Sequence, residues 1–149
     1  GSGKTFKAYG LKAEFSGKDA FLYDMASLQV QSILGRKMNF DTAPSGDFLK
    51  DGDEVKFGSH KLCVLETPGH TPGGLCFYCK EEKLLFSGDS LFQQSIGRTD
   101  LKGGNALLLI QSLKEKVLTL PDDTKVLPGH GPSTDIAYEK KNNIYFKDL

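Results

Sequence analysis

The chain has 149 residues, of which 19 are basic and 19 acidic, giving a formal charge of zero. It therefore lacks the net positive field of an electrostatic nucleic-acid or membrane-surface binder, and no apolar run approaches the roughly 20 residues that cross a bilayer. Three cysteines are an odd number for a disulfide framework, and no signal-peptide pattern opens the sequence. Reduced thiols, a cytoplasmic location, no nucleic-acid partner and no membrane are the expectations.

In chain order, Gly1-Ser2-Gly3 reads as a cloning remnant ahead of one domain over 4–149. Lys4 to Tyr9 is predicted helical with Gly10 as its stop. Leu11 to Phe15 is predicted as a short strand. Asp19 to Gly35 reads as mostly helical, since Phe21, Leu22, Met25, Leu28 and Ile33 fall near helical spacing. Arg36 to Gly46 reads as irregular. From Asp53 the period drops to two, and a hairpin is predicted around Gly58-Ser59. Strands follow at Gly74 to Cys79 and Leu84 to Phe86, joined by the polar turn Lys80 to Lys83. Asn105 to Leu118 is predicted as a helix with the stripe Leu108, Leu109, Leu113 and Val117. A strand at Thr124 to Leu127 and a helix at Asp135 to Asn142 complete an α/β arrangement.

Three loops at strand ends carry metal-capable side chains: Thr67-Pro68-Gly69-His70-Thr71-Pro72-Gly73-Gly74, Ser87-Gly88-Asp89-Ser90, and Leu127-Pro128-Gly129-His130-Gly131-Pro132. Neutral imidazole and carboxylate suit zinc, and also iron or manganese. A carboxylate has two oxygens, so one aspartate can serve two ions. Glycine beside these residues lets the backbone approach closely. A lone histidine in a loop is usually solvated or packed, and a lone Gly-Asp is usually a turn. The coincidence of three such loops, spaced by strands and one helix, is what points to a site.

The runs that hold these loops, Glu66 to Phe77, Leu84 to Phe92 and Val126 to Pro132, together with Ile96 to Asp100, resemble the metallo-β-lactamase superfamily, and look most like its small glyoxalase II-type, hydroxyacylglutathione hydrolase-like members. The resemblance covers 51–146 closely and 4–50 more loosely. It implies an αββα sandwich, here partial and lacking the first strands. It further implies that His70 binds one metal, that Asp89 bridges two, and that His130 binds the second. The expected cofactor is zinc, two ions in the intact family, with iron or manganese as alternatives. The expected substrate is a small-molecule thioester such as a glutathione conjugate. Arg98, in Gly97-Arg98-Thr99-Asp100, either contacts an anionic substrate group or holds its loop through Asp100.

The family's remaining ligands lie in a His-x-His-x-Asp-His motif, which is absent: the histidines are His60, His70 and His130. The reading is of a chain that starts just after that motif and is inactive or impaired as a thioesterase. Two alternatives stand beside it. One is a persulfide dioxygenase-like iron enzyme, which the Pro-Gly-His-Gly-Pro segment disfavours. The other is a non-catalytic scaffold that self-associates through an exposed sheet edge. Other signals are discounted. Gly1-Ser2-Gly3-Lys4-Thr5 lacks the rest of a phosphate-binding loop. His60 is expected on the surface of the hairpin turn. Lys140-Lys141 is read as a solvated helix face. Cys76 and Cys79 face opposite sides of a strand, so one buried and one exposed thiol are expected.

Overall fold

Alternating, β-branched and aromatic segments punctuated by turn residues build the larger part of the molecule as a sheet. In the computed structural model, residues 2–25 and 45–147 are described. The chain divides into two compact units, Gly1–Leu49 and Lys50–Leu149.

In the first unit, helix α1 (Ser2–Tyr9) ends where the Gly10 amide donates to the Phe6 carbonyl at 2.7 Å. Two of the three residues set aside as a remnant therefore lie in the helix. Strand β1 (Ala13–Phe15) pairs parallel with β2 (Ser45–Phe48). Ser16 caps a 3-10 turn at Gly17–Asp19, which leads into α2 (Ala20–Asp24). Phe15 stacks on Tyr23 at 4.7 Å and meets Phe48 edge-on at 5.8 Å. Such aromatic pairs hold a small unit beyond their buried area. Ser45 and Gly46 are strand residues, where the sequence suggested irregular chain. The rest of the predicted helix from residue 26, and the irregular segment to Pro44, lie outside the described residues.

In the second unit, β3 (Glu54–Phe57) and β4 (His60–Glu66) form the expected hairpin, with Phe57 opposite His60. His60 is thus the first residue of a strand rather than part of the turn. Its ring stacks on Phe57 at 5.5 Å, and its Nε2 lies 3.2 Å from Glu82 Oε1. Strands β5 (Leu75–Cys79) and β6 (Leu84–Gly88) follow, then a short hairpin of β7 (Leu91–Phe92) and β8 (Ser95–Ile96) that the sequence reading did not include. Helix α3 (Ala106–Ser112), β9 (Lys125–Pro128), β10 (Thr134–Asp135), α4 (Ile136–Asn142) and a 3-10 turn at Ile144–Phe146 complete the order.

The six-stranded sheet runs β10-β9-β6-β5-β4-β3. It is antiparallel except for β6 and β9, which are parallel neighbours. Cys76, Tyr78, Leu85 and Val126 bring one face of the sheet into the core, with Leu109, Leu113, Val117, Ile136 and Phe146 packed in the same cluster. Three of the four residues of the predicted stripe, Leu109, Leu113 and Val117, are fully buried, and Leu108, 42% exposed, falls outside the core. The helix is also not uniform. After Ser112 it widens into a π-helical stretch, Leu113–Val117, closed by Leu118 N–H donating to Leu113 O at 2.9 Å. The extra residue per turn puts Val117 and Leu118 on the core together.

Both thiols of Cys76 and Cys79 are buried, contrary to expectation. Cys76 lies in the core, where burial pushes its pKa up to about 11. Cys79 ends its strand at the Lys80 to Lys83 turn, and its Sγ donates to Glu81 Oε2 at 3.7 Å. At this strand end the thiol meets the turn that follows, a contact simple alternation does not foresee. Lys140 and Lys141 are exposed, as read, and Lys140 pairs with Asp122 at 2.6 Å. No helix among the described residues is long and apolar enough to cross a membrane.

Candidate functional site

The parallel pairing of β6 with β9 puts the ends of both strands side by side, with Gly88 opposite Pro128. The Gly129 amide donates to the Gly88 carbonyl at 2.8 Å. Asp89 and His130, 41 residues apart, are therefore delivered to one place, and His130 Nδ1 lies 2.9 Å from Asp89 Oδ1. The third loop leaves β4 and returns to β5. It closes on itself where the Thr67 amide donates to Gly74 O at 2.8 Å. Helix α3 holds it from behind: the Asn105 amide donates to Gly69 O at 2.7 Å, and Ser112 Oγ to Pro68 O at 3.2 Å. Asn105 itself caps α3, accepting from the Leu108 amide at 3.0 Å. Below the loops, the buried hydroxyls of Thr67 and Ser90 meet at 2.7 Å and tie the His70 loop to the Asp89 turn.

This framework brings His70 Nε2 to 3.7 Å from Asp89 Oδ2. Each oxygen of one carboxylate thus faces one imidazole. The orientation of His70 has a clear cause. Its Nδ1 sits 2.7 Å from the Arg98 carbonyl, which can only accept, so Nδ1 carries the hydrogen and, in the neutral ring, Nε2 presents its lone pair. Space decides two nearby residues. A Cβ on Gly97 would lie 1.8 Å from the Asp89 carbonyl oxygen and 3.2 Å from His70 Cβ. A Cβ on Gly129 would lie 2.6 Å from Asp89 Oδ1. At both positions glycine lets the backbone pack directly against Asp89.

His70, Asp89 and His130 line a cavity of about 500 Å³ with Phe92, Gln93, Arg98, Gly131 and Pro132. The side chain of His70 is 20% exposed, that of Asp89 36%, and that of His130 76%. The sequence reading missed Phe92 and Gln93. Their signal was two short segments, the apolar pair Leu91-Phe92 and Ser95-Ile96, around Gln93-Gln94, a hairpin too short to stand out from a loop.

Arg98 reaches the cavity, and its guanidinium also grips Asp100 through Nε to Oδ1 at 2.8 Å and Nη2 to Oδ2 at 2.7 Å. The hydrogen bonds from Arg98 hold Asp100 well below the usual carboxylate range, at about 2. A depressed folded-state pKa favours the fold above the unfolded pKa, and that contribution is lost progressively as pH falls from the unfolded value through the folded one. The Gly97–Asp100 loop is accordingly expected to keep its ion pair down to about pH 2. Following the Asp100 carboxyl carbon by NMR during acid titration checks this; a midpoint near 4 would show the pair to be broken in solution.

The donor chemistry fits a divalent transition ion. An imidazole lone pair facing a carboxylate oxygen at 3.7 Å is two acceptors opposed, and a cation between them satisfies both. The set is nonetheless open. Among the described residues no group of three histidine, cysteine or acidic side chains is close enough to hold an ion by itself. One Asp89 oxygen is instead engaged by His130.

Two imidazoles thus face one carboxylate, on loops at the strand ends of an α/β sheet. The chain belongs to the metallo-beta-lactamase superfamily, whose family model matches residues 5–130. It is 52% identical over 105 residues to the probable metallo-hydrolase YqgX of Bacillus subtilis (strain 168), covering 70% of this chain and 50% of that protein. It is 39% identical over 129 residues to the hydroxyacylglutathione hydrolase GloC of Haemophilus influenzae, covering 86% and 60%. The fold is close to that of BLEG-1 B3 metallo-beta-lactamase, with a TM-score of 0.85 and 37% identity over 96% of this chain and 68% of that one. It is similar also to TTHA1623 in a di-iron-bound form, with a TM-score of 0.79 and 36% identity over 97% and 69%. The chain thus spans about half the length of the curated relatives it matches.

Proposed function

We propose that the chain carries part of the metal site of a hydrolase acting on small-molecule thioesters, with a glutathione conjugate as the substrate class. One observation carries this reading: both oxygens of Asp89 face imidazoles, one of them fixed with its lone pair outward, at a cavity large enough for a small organic substrate. His70 and His130 would hold metal, and Asp89 would bridge. Zinc is the proposed ion, with iron or manganese as alternatives; the di-iron form of TTHA1623 supports a transition metal without selecting one. A bound ion of this kind lowers the pKa of water and offsets charge developing on a carbonyl oxygen.

The chain's own residues supply orientation. The Arg98 carbonyl fixes the His70 tautomer. Two of the five guanidinium N–H donors of Arg98 go to Asp100, leaving others for an anionic substrate group. Phe92 and Pro132 give the cavity apolar wall for a thioester's carbon chain. The relative named as a hydroxyacylglutathione hydrolase supports the substrate class. With three histidines in all and an open donor set, this chain by itself is proposed to hold one ion weakly and to turn over slowly.

Elemental analysis of protein purified without chelator, beside His70→Ala, tests the reading. About one zinc or iron per chain is expected, lost in the variant. Hydrolysis of a hydroxyacyl-glutathione is expected to be slow and to rise with metal loading. Absence of both metal uptake at saturating zinc and hydrolysis would overturn it. Iron alone, with no hydrolysis, would favour the dioxygenase-like alternative.

A further inference from the structure

The walls of the cavity are two loops. One is the β7–β8 hairpin, which contributes Phe92 and Gln93; the other is the segment after β9, which contributes His130, Gly131 and Pro132. The walls meet where the Phe92 and His130 rings lie 6.2 Å apart, tilted by 51°. The turn of the hairpin is strained: Gln94, not a glycine, has φ +58°.

Behind both loops lies Glu139, on α4 and fully buried. Burying a carboxylate is costly unless donors surround it. The Gln94 amide reaches both of its oxygens, at 3.2 and 3.0 Å. Thr134 Oγ donates to Oε1 at 2.7 Å, and Asn143 Nδ2 to Oε2 at 2.8 Å. Asn143 Nδ2 also reaches the Ser95 carbonyl at 3.2 Å, and the Gln94 side chain donates to the Tyr138 hydroxyl. The hairpin tip is therefore clamped to α4 through its strained residue. Thr134 follows Pro132 by two positions, so the same carboxylate also holds the end of the opposite wall.

We propose that Glu139 is a positioning residue that couples the two walls of the cavity and so sets the shape presented to substrate. This rests on the cavity being the substrate site. The Glu139 carboxylate is bonded to Gln94, Thr134 and Asn143 and not to His70, Asp89 or His130, so its effect should fall on the organic ligand rather than on the metal.

The test compares wild type with Glu139→Gln and Thr134→Val. The first removes the charge while keeping the shape, and the second cuts only the arm to the His130–Pro132 loop. The probes are zinc alone and S-hexylglutathione, a non-hydrolysable thioether. Both variants are expected to bind S-hexylglutathione about tenfold more weakly, the scale of one lost charge-assisted hydrogen bond. Zinc affinity should stay within about twofold, since the metal-facing atoms are untouched. Hydrogen exchange at the Gln94 amide should speed by about tenfold in Glu139→Gln and stay protected in Thr134→Val.

A purely structural carboxylate would give faster exchange with unchanged ligand affinity, which overturns the proposal. Unchanged exchange at Gln94 in Glu139→Gln overturns it as well. If the wild type binds no S-hexylglutathione, the substrate reading fails. The coupling is then decided by nuclear Overhauser contacts between the Phe92 and His130 rings: loss in both variants supports it, and retention overturns it.

Discussion

Asp89→Asn is expected to remove zinc binding while leaving the fold intact. The substitution is nearly isosteric and the side chain is 36% exposed, so stability should change by no more than about 1 kcal/mol. Its chemistry changes completely. A carboxylate offers negative oxygen to both sides; an amide offers one neutral oxygen and one pair of donors. Whichever way the amide turns, His70 Nε2 or His130 Nδ1 loses the oxygen it now faces, at 3.7 and 2.9 Å respectively. His70 is the more sensitive partner because the Arg98 carbonyl has committed its hydrogen to Nδ1. An affinity loss of about 100-fold or more follows, on the order of 3 kcal/mol. Calorimetric zinc titration of both proteins reads it, and Gln93→Ala serves as a control that lines the same cavity without donating to metal. Equal zinc affinity in Asp89→Asn and wild type would remove Asp89 from the site.

Much of this site was legible in the sequence because its residues sit at punctuation. His70, Asp89 and His130 each follow a strand within a Gly-containing loop, and strand ends are where a rigid sheet presents loops. The β3–β4 hairpin, β5, β6 and the start of α3 were legible for the related reason that turn and cap residues act locally. What was not legible depends on partners distant in the chain. The parallel contact of β6 with β9 joins segments about 40 residues apart, and nothing local in either announces the other. The π-helical widening at Leu113 answers to the core surface opposite it rather than to its own composition. Glu139 reads as a polar residue on an ordinary amphipathic helix; only the fold reveals that it is buried and ringed by Gln94, Thr134 and Asn143. Arg98 is a mixed case. Its side chain drew attention, but its carbonyl is the group that orients His70.

Gly97→Ala should disturb both the fold and the site, and the reason is space. The added methyl would sit 1.8 Å from the Asp89 carbonyl oxygen, a backbone atom that cannot rotate away as a side chain can. The same stretch carries the hydrogen bond from the Gly97 amide to Ser90 O, at 3.1 Å, which closes the β7–β8 hairpin onto the Asp89 turn. Relieving the clash must separate these two segments, at a cost of about 3 kcal/mol, near the upper end for overpacking. For a chain of this length that lowers the thermal midpoint by roughly 10 °C. The separation also moves the Arg98 carbonyl, one residue on, and with it the support of His70. Zinc affinity should therefore fall alongside stability, and the two losses need not be proportional. Thermal melts with and without zinc separate them: the stabilisation that zinc gives wild type should shrink in Gly97→Ala even at temperatures where the variant is fully folded. A variant with the wild-type midpoint and the wild-type zinc response would mean that Gly97 does not pack against Asp89 in solution.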